Sequence, residues 1–296
     1  MKDDDKWFFM TYDENIDHKK EVLMQTGKVH FTKEKGTIFV TLYGRAVESQ
    51  SKNPIIHDTA AEEAIQRIDY DFKNLKMSRN EILATAARAK IFDMWTEEYL
   101  TSNPEAIVLH LGCGLDSRVF RIDLPSSVEW FDVDFPEVIE LRRRLFPERA
   151  GYHMIGSSVT EKEWFDQIPK DRPVLIVAEG LLYYLTEDEV KTLLKRLVGH
   201  FHNGQIIFDA TSKLYLRIQK TNVGIKATGA KMKWGLRSPH ELEQWMPQVK
   251  LVTELSAMDP NMPNIKKMSG GIRLVIHILG YISTLRNMGL MLRYRF

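Results

Sequence analysis

From about residue 78 onward, short apolar runs alternate with segments of helical periodicity, and this alternation limits the possible folds more than any other feature of the sequence. The apolar runs are rich in β-branched and aromatic residues, which predicts strands. Capping boxes that begin at Ser78 and Thr186 predict the first residues of two of the helices. Strands that alternate with helices pair in parallel through right-handed crossovers, so we predict one doubly wound α/β sheet. The strand-like runs are AIVLHLG, VEWFDVD, GYHMIGSS, PVLIVAEG, GQIIFDA, VKLVTELSAMD and IRLVIHILGYI.

The segments on either side of this alternation have a different character. Residues 7–77 show mainly helical and irregular patterns, while residues 1–6 carry an acidic run that takes no part in the fold prediction. Residues 211–247 are polar, basic and glycine-containing, and they interrupt the strand rhythm. We therefore expect an N-terminal helical cap at 1–77 and a sheet domain at 78–296, with a lid inserted at about 211–247.

The composition argues against several classes of protein. The 41 Lys and Arg side chains nearly balance 40 Asp and Glu, whereas a nucleic-acid-binding protein usually shows a basic excess. The single cysteine, Cys113, excludes an internal disulfide and fits a reducing compartment. No signal peptide is visible, and the most apolar late run is shorter than the roughly 20 residues of a membrane span. We therefore expect a soluble, cytoplasmic protein that binds neither nucleic acid nor membrane.

The stretch LHLGCGLDS contains a glycine turn, Gly112 and Gly114, at the end of the first predicted strand. Ligands of open α/β sheets bind beyond the carboxyl ends of the strands, and glycine lets the backbone approach them closely. The alternative is a tight β-to-α turn that binds nothing. The dinucleotide pattern G-x-G-x-x-G is incomplete, because Ser117 replaces its last glycine. Asp116 would repel a pyrophosphate, so a cationic cofactor such as S-adenosylmethionine fits the turn better.

Three more charged residues stand near predicted strand ends. Asp132 and Asp134 end the second strand, where a carboxylate can accept the ribose hydroxyls of an adenosine or cap the helix beginning at Pro136. Being two residues apart, they share a face of the strand and are expected to point at the same pocket. Glu179 follows an apolar strand and either binds a ligand or pairs with a neighbouring base. Arg88, on a helix, can hold a ligand carboxylate or be solvated.

Five motifs, in this order and spacing, resemble the leucine carboxyl methyltransferase family: RAVES, AARAKIFD, LHLGCGLDSR, WFDVDFP and AEGLLYYL. The family includes bacterial O-methyltransferases of polyketide biosynthesis, of the tetracenomycin type. The resemblance covers most of residues 28–247. It implies a class I methyltransferase: a Rossmann-like sheet of seven strands, the last antiparallel, and a helical lid. It also implies S-adenosylmethionine as cofactor and S-adenosylhomocysteine as product.

The resemblance assigns cofactor contacts to eight positions. They are Arg88 at the methionine carboxylate, Gly112 and Gly114 along the methionine and sulfonium, Asp116 as the Asp of G-x-G-x-D, Asp134 with Asp132 beside it at the ribose, Ser158 at the adenine edge and Glu179 near the amino end. At Ser158-Val159 the family usually has Asp-Leu, which leaves a shorter, uncharged contact to adenine. Cys113 stands where Ala is common, as a small buried residue close to the expected sulfonium.

The sequence singles out no catalytic base. A carboxylate acceptor needs none, whereas a phenol would gain from one, and Tyr183, Tyr184, His153 and His240 are equally well explained as packing or surface residues. In the lid, Tyr215 and Trp234 either stack on a planar acceptor or form lid core. The lid's basic residues either attract an acidic acceptor or form a solvated face. They are Lys213, Arg217, Lys220, Lys226, Lys231 and Lys233.

The favoured function is O-methylation of a hydroxyl or carboxyl group on a small molecule, such as a polyketide-type metabolite. The alternatives are a protein C-terminal carboxyl methyltransferase, whose partner would dock on the lid, and a non-catalytic protein that binds the cofactor. A docking surface that is large and exposed would favour the first alternative. A nicotinamide oxidoreductase is disfavoured by the missing third glycine.

Overall fold

The computed structural model describes residues 37–218, 230–280, 282 and 286–296, and within these residues seven strands form one sheet. The strand order is β3-β2-β1-β4-β5-β7-β6. The first five strands pair in parallel, and β7 runs antiparallel to both β5 and β6. The predicted sheet, including an antiparallel last strand, is confirmed. The strands are β1 Ile107–Leu111, β2 Glu129–Asp134, β3 Tyr152–Gly156, β4 Val174–Ala178, β5 Gly204–Thr211, β6 Lys250–Ser256 and β7 Gly289–Arg295.

The helices begin where local capping signals predict. The hydroxyl of Ser78 accepts from the N–H of Glu81 while the Glu81 carboxylate accepts from the Ser78 N–H, and Thr186 with Glu189 repeats the arrangement. Both boxes satisfy backbone donors that a helix otherwise leaves unpaired. The helices are α1 Thr37–Ser49, α2 Thr59–Arg67, α3 Arg79–Ser102, α4 Arg118–Arg121, α5 Pro136–Leu145, α6 Glu187–His200, α7 Lys213–Ile218, α8 Glu241–Trp245 and α9 Gly270–Gly280.

The centre of the sheet is buried on both faces. Every residue of β1 and β4 is buried, as expected for central strands of a parallel sheet covered by helices. One face packs against α6, through Leu193 and Leu197, and the other against α3, through Phe92 and Trp95. The chain order reverses between β1 and β4, which places the topological switch point, where such sheets bind ligands, at the end of β1.

One predicted strand is wrong. The run IRLVIHILGYI was expected to return to the sheet, but Gly270–Gly280 is helical, and the last strand is β7, which sequence analysis missed. Leu274, Val275 and Ile278 of this helix are 61%, 53% and 55% exposed. A short apolar run is compatible with either a strand or a helix, so periodicity alone does not decide between them.

The described part of the predicted cap, residues 37–77, contains helices α1 and α2. Helices α1 and α2 pack together, and α1 also packs against α3. The earlier part of the predicted cap, residues 1–36, lies outside the described residues, as do residues 219–229 of the predicted lid. Among the described helices, none combines the length and the apolar character needed to cross a membrane.

Candidate active site

Two neighbouring cavities lie beyond the carboxyl ends of β1, β2, β4 and β5. The larger has a volume of about 510 Å³ and the smaller about 210 Å³. They share part of their walls and therefore lie side by side, and together they make up the depression at the switch point of the sheet. The residues common to both are Thr37, Ile38, Gly112, Gly180 and Tyr184.

The glycine turn after β1 forms the floor of this depression. Gly112 and Gly114 have φ angles of +60° and +49°, a region that side chains disfavour. A Cβ atom at Gly112 would lie 2.8 Å from Cδ1 of Leu181, and one at Gly114 would lie 3.0 Å from Cγ2 of Ile38. The turn therefore requires glycine for its backbone conformation as well as for space, and it exposes backbone to the cavity.

Asp134, at the end of β2, lines the smaller cavity. One carboxylate oxygen accepts from the N–H of Gly114 at 2.7 Å, and the other accepts from the N–H of Phe135 at 2.7 Å. Burial raises the pKa of this carboxyl above its usual value despite these bonds. Ser158 lines the same cavity, and its hydroxyl lies 2.9 Å from that of Thr160. The predicted ribose and adenine positions thus share one compartment.

Asp132 does not join Asp134 in the pocket, which corrects the expectation that both acids point at it. The Asp132 side chain is fully buried and lines neither cavity. It pairs with Arg142 and accepts a 2.6 Å hydrogen bond from Tyr152 and a 2.8 Å bond from Trp130. Although burial alone raises its pKa, the charge of Arg142 holds the pKa below its usual value. The role of Asp132 in the folded chain is to hold Arg142.

Asp116 lines the larger cavity, but its carboxylate is already paired with two arginines. Its carboxylate lies 2.6 Å from Nη1 of Arg121 and 3.1 Å from Nη1 of Arg118. Burial by itself raises the pKa of Asp116, and the two guanidinium groups outweigh it and hold the pKa well below its usual value. A carboxylate paired in this way does little to attract a cation, so the electrostatic argument drawn from Asp116 in the sequence weakens.

Arg88 and Glu179 both line the larger cavity, where they pair with each other. Nε of Arg88 lies 2.9 Å from Glu179, and Nη1 lies 2.8 Å from Asp209. Arg118 binds the second oxygen of Glu179 at 2.6 Å. Burial opposes ionisation of Glu179, yet Arg88 and Arg118 lower its pKa. With 23% of its side chain exposed, Arg88 is the guanidinium that two acids orient at the edge of the cavity.

The residues predicted from the sequence did not include Asp209, Gly180 or the two buried arginines next to the glycine turn, Arg118 and Arg142. Asp209 lies in the predicted strand GQIIFDA, so the argument used for Glu179, an acid at the carboxyl end of an apolar strand, applied to it equally. Gly180 has a φ of +74° and donates its N–H to Asp209 at 2.6 Å. Arg118 and Arg142 gave no local signal, because their importance depends on partners far away in the chain.

The four candidate bases separate into two groups. His153 and His240 lie at the surface, paired with Glu129 and Glu243, and neither lines a cavity. Tyr183 and Tyr184 line the larger cavity. Burial raises the pKa of the Tyr183 hydroxyl well above its ordinary value, so it stays protonated at neutral pH. None of the four is placed as a base.

The described lid residues serve the core and the cavity in different ways. Trp234 is 1% exposed and packs near Phe208 and Trp245, which makes it core rather than a stacking surface. Tyr215 and Met232 line the larger cavity. Of the basic residues, Lys213 pairs with Glu187, Lys233 lines the smaller cavity, Arg217 and Lys231 are exposed, and Lys220 and Lys226 lie outside the described residues.

Beyond the charged residues, the larger cavity has a wall of flexible apolar side chains. Methionines from the cap, the lid and the segments around β6 and β7 converge there, and methionine adapts its shape to what it contacts. The cavity that Arg88 lines therefore also has an apolar lining that suits an apolar molecule. The methionines are Met77, Met232, Met258, Met262, Met288 and Met291.

The residues present fit a nucleoside cofactor that carries an amino acid. The donor set includes a guanidinium, Arg88, for a carboxylate, and an acid, Asp134, for ribose hydroxyls. Gly112 and Gly114 leave open a cradle that a Cβ atom would fill. Cys113, also on the wall, is buried, and burial raises the pKa of its thiol, which keeps it a weak nucleophile. The described residues contain no group of three or more His, Cys, Asp or Glu side chains that could hold a metal ion.

Comparison with known proteins agrees with this geometry. Residues 38–198 match the family model of leucine carboxyl methyltransferase. The tetracenomycin polyketide synthesis O-methyltransferase TcmP of Streptomyces glaucescens is 44% identical over 223 residues, or 75% of this chain and 83% of that protein. The S-adenosyl-L-methionine-dependent methyltransferase dpfgK of Gibberella zeae is 34% identical over 248 residues, or 77% and 83% of the two chains.

Solved structures support the fold. A candidate methyltransferase from Thermobifida fusca aligns with a TM-score of 0.54 at 16% identity, and the alignment covers 88% of this chain and 93% of the Thermobifida chain. A DUF574 family protein from Streptomyces avermitilis aligns with a TM-score of 0.56 at 11% identity, covering 89% and 97%. At such low identity the likeness concerns the arrangement of strands and helices alone.

Proposed function

The chain belongs to the leucine carboxyl methyltransferase family, and on that premise we propose that it methylates a hydroxyl or carboxyl oxygen of a small, largely apolar molecule, such as a polyketide-type metabolite. Its cofactor is S-adenosylmethionine. The observation that carries the proposal is that six methionines line the same cavity as Arg88, Glu179 and Asp209. The name of the 44% identical relative, an O-methyltransferase of tetracenomycin polyketide synthesis, supports this acceptor class.

In this proposal each side of the depression holds one part of the cofactor. Arg88, oriented by Glu179 and Asp209, binds the methionine carboxylate. Asp134 accepts the ribose hydroxyls, and Ser158 contacts the adenine edge in the smaller cavity. When bound, the cofactor supplies an electrophilic methyl group on its sulfonium. Asp116 and Asp132 support this site indirectly, by ordering arginines behind the glycine turn.

The acceptor is positioned by the apolar side chains that line the larger cavity. Methyl transfer needs the acceptor oxygen held in line near the methyl carbon, and the protein contributes orientation and exclusion of water. An acceptor carboxylate is ionised at neutral pH and attacks without a base. Tyr183 cannot serve a phenol as base, because burial raises the pKa of its hydroxyl. The described residues therefore suit an acceptor whose oxygen is already acidic.

Binding is tested first, by calorimetric titration with S-adenosylmethionine, S-adenosylhomocysteine and NAD. We expect both sulfur compounds to bind and NAD not to bind. Failure of both to bind folded protein would refute the proposed cofactor. Turnover is tested next, by following S-adenosylhomocysteine formation with a panel of planar aromatic hydroxy acids. Tight cofactor binding without turnover of any acceptor class would favour a non-catalytic binding protein.

A second candidate function is methylation of a protein C-terminal carboxyl group. It is favoured by the exposed apolar residues Leu274 and Ile278 of α9, since such surfaces are common where proteins dock. The same assay distinguishes the two functions when it is run with tritiated cofactor and a library of peptides that end in free carboxylates. Base-labile methyl ester on peptides, together with no small-molecule product, would replace the first proposal by this one.

A further inference from the structure

A continuous chain of ion pairs runs from the cap to the larger cavity. Within the described residues it joins five carboxylates and four guanidinium groups, so it carries one surplus negative charge when every member is ionised. The members, in order along the chain of contacts, are Arg45, Asp58, Arg121, Asp93, Asp116, Arg118, Glu179, Arg88 and Asp209.

The surplus negative charge lies at the Asp209 end of this chain, whereas the other end is Arg45, which also lines the larger cavity. Among the guanidinium groups, Asp209 contacts Arg88 alone, at 2.8 Å, whereas each of the other four carboxylates contacts two. These four are Asp58, Asp93, Asp116 and Glu179. Arg88 is itself shared with Glu179. Among the described residues, the Asp209 carboxylate also accepts a hydrogen bond from the N–H of Gly180 at 2.6 Å. Asp209 is therefore the member whose charge is least compensated, and it lines the cavity.

The two forms of the expected cofactor differ by one charge. S-adenosylmethionine has a sulfonium, an ammonium and a carboxylate, for a net charge of +1, whereas S-adenosylhomocysteine lacks the sulfonium and is neutral overall. Resting on the function proposed above, we propose that Asp209 is an electrostatic positioning residue: as the least compensated carboxylate of this ion-pair chain, it favours the cationic sulfonium form of the cofactor over its neutral product. Loss of the methyl group removes the net positive charge of the ligand and with it this preference, which promotes exchange of product for fresh cofactor.

The local environment of Asp209 is consistent with an uncompensated charge. Its charged and titratable neighbours are Arg88 of α3, Glu179 after β4 and Tyr183, and burial raises the pKa of Asp209 despite the nearby guanidinium. A positive ligand group beside Asp209 stabilises its ionised form, and removing that group reverses the effect. Glu179, with two arginines, is electrically satisfied before any ligand arrives, and this distinguishes the two acids.

The test compares three ligands by calorimetry on wild-type protein and on Asp209→Asn: S-adenosylmethionine, S-adenosylhomocysteine and sinefungin, which has a protonated amine in place of the sulfonium. Because a unit charge within about 10 Å of a ligand charge changes affinity by about tenfold at an effective dielectric constant of about 20, we expect Asp209→Asn to weaken both cationic ligands about tenfold or more relative to S-adenosylhomocysteine. Asp209→Glu keeps the charge and should keep the preference. Asp171→Asn, the same change at an exposed acid, should alter nothing.

Each outcome is decisive. Equal losses for all three ligands in Asp209→Asn would mean that Asp209 acts only by holding Arg88, and would overturn the inference. A wild-type protein that binds S-adenosylhomocysteine more tightly than sinefungin would also overturn it, without any variant. Failure of wild type to bind any of the three refutes the proposed function itself, which separates that failure from the failure of this inference.

Discussion

The carboxylate of Asp134 accepts a 2.7 Å hydrogen bond from the backbone N–H of Gly114. The bond joins the end of β2 to the turn after β1, two neighbouring strands that end at the same edge of the sheet. It leaves the turn open toward the cavity, with Gly112 in a positive-φ conformation. The acid that is expected to contact the cofactor thus also fixes the shape of the glycine turn.

Replacing Asp134 by alanine should weaken binding of S-adenosylmethionine and S-adenosylhomocysteine alike, by about tenfold or more each, because a charged hydrogen-bond acceptor contributes about 1.5–3 kcal/mol. Both ligands share the ribose, so their ratio should not change. Calorimetry measures both constants, and Asp123→Ala at an exposed acid is the control. A loss confined to one of the two ligands would contradict a ribose contact.

Replacing Gly112 by alanine should lower the free energy of unfolding by about 1–3 kcal/mol and abolish cofactor binding, since the φ of +60° and the 2.8 Å approach to Leu181 both oppose a side chain. The matched control is Gly199→Ala near the end of α6, where nothing lies within 4 Å of the new Cβ atom. That change should raise stability by up to about 1 kcal/mol. Urea unfolding measures both, and equal effects would refute the steric argument.

Replacing Arg142 by methionine should destabilise the protein by about 3–5 kcal/mol, because it leaves the buried Asp132 carboxylate without its ion-pair partner. It also removes hydrogen bonds to the carbonyl oxygens of Gly114 and Asp116 in the turn, at 2.9 and 2.8 Å. Unfolding in urea gives the free energy.

The control for this change lies on the same helix. Arg144 pairs with Glu140, and their side chains are 54% and 55% exposed. Arg144→Met should therefore change the free energy of unfolding by no more than about 0.5 kcal/mol. Similar losses of unfolding free energy for the two variants would show that the buried Arg142–Asp132 pair stabilises the fold no more than the exposed Arg144–Glu140 pair.

Acidification should destabilise the fold below about pH 4. Asp58, Asp116, Asp132 and Glu179 have folded-state pKa values held below their usual 3.8 or 4.5 by neighbouring arginines, in spite of burial. Their stabilising effect is complete above those usual values and is lost as the pH falls through the lower folded values.

The pKa values of Asp134 and Asp209 are raised in the folded state, so these two carboxyls bind protons in the folded state before they do in the unfolded state as the pH falls. Their protonation therefore increases the free energy of unfolding above about pH 4, in the opposite direction to the loss from the other four carboxyls. The net loss should therefore appear below pH 4, with a slope of at least about 1.4 kcal/mol per pH unit, the value for one proton. Urea unfolding at pH 7, 5, 4 and 3 measures it. A free energy of unfolding that stays constant from pH 4 to 3 would contradict the assigned pairing.

The elements that sequence analysis identified have strong local signals. The β4 strand is apolar throughout and β1 is apolar except for His110, and the capping boxes at Ser78 and Thr186 are satisfied by residues three positions away. The error at Gly270–Gly280 concerns an apolar run of ambiguous period, and the missed β7 is a strand whose pairing partners, β5 and β6, lie far back in the chain. Signals that need distant partners are weak in a single sequence.

The same division applies to the site. The sequence alone determined the parallel sheet, the glycine turn, and the acids Asp134 and Glu179 at strand ends, because hydrophobic period, glycine and capping chemistry act over a few residues. Only the tertiary structure decided which acids face the cavity. It buried Asp132 against Arg142, matched Asp116 with two arginines, and left Asp209 with one. The physical reason is that the charge available at a cavity depends on all the ions packed around it, and the fold gathers those from separate parts of the chain.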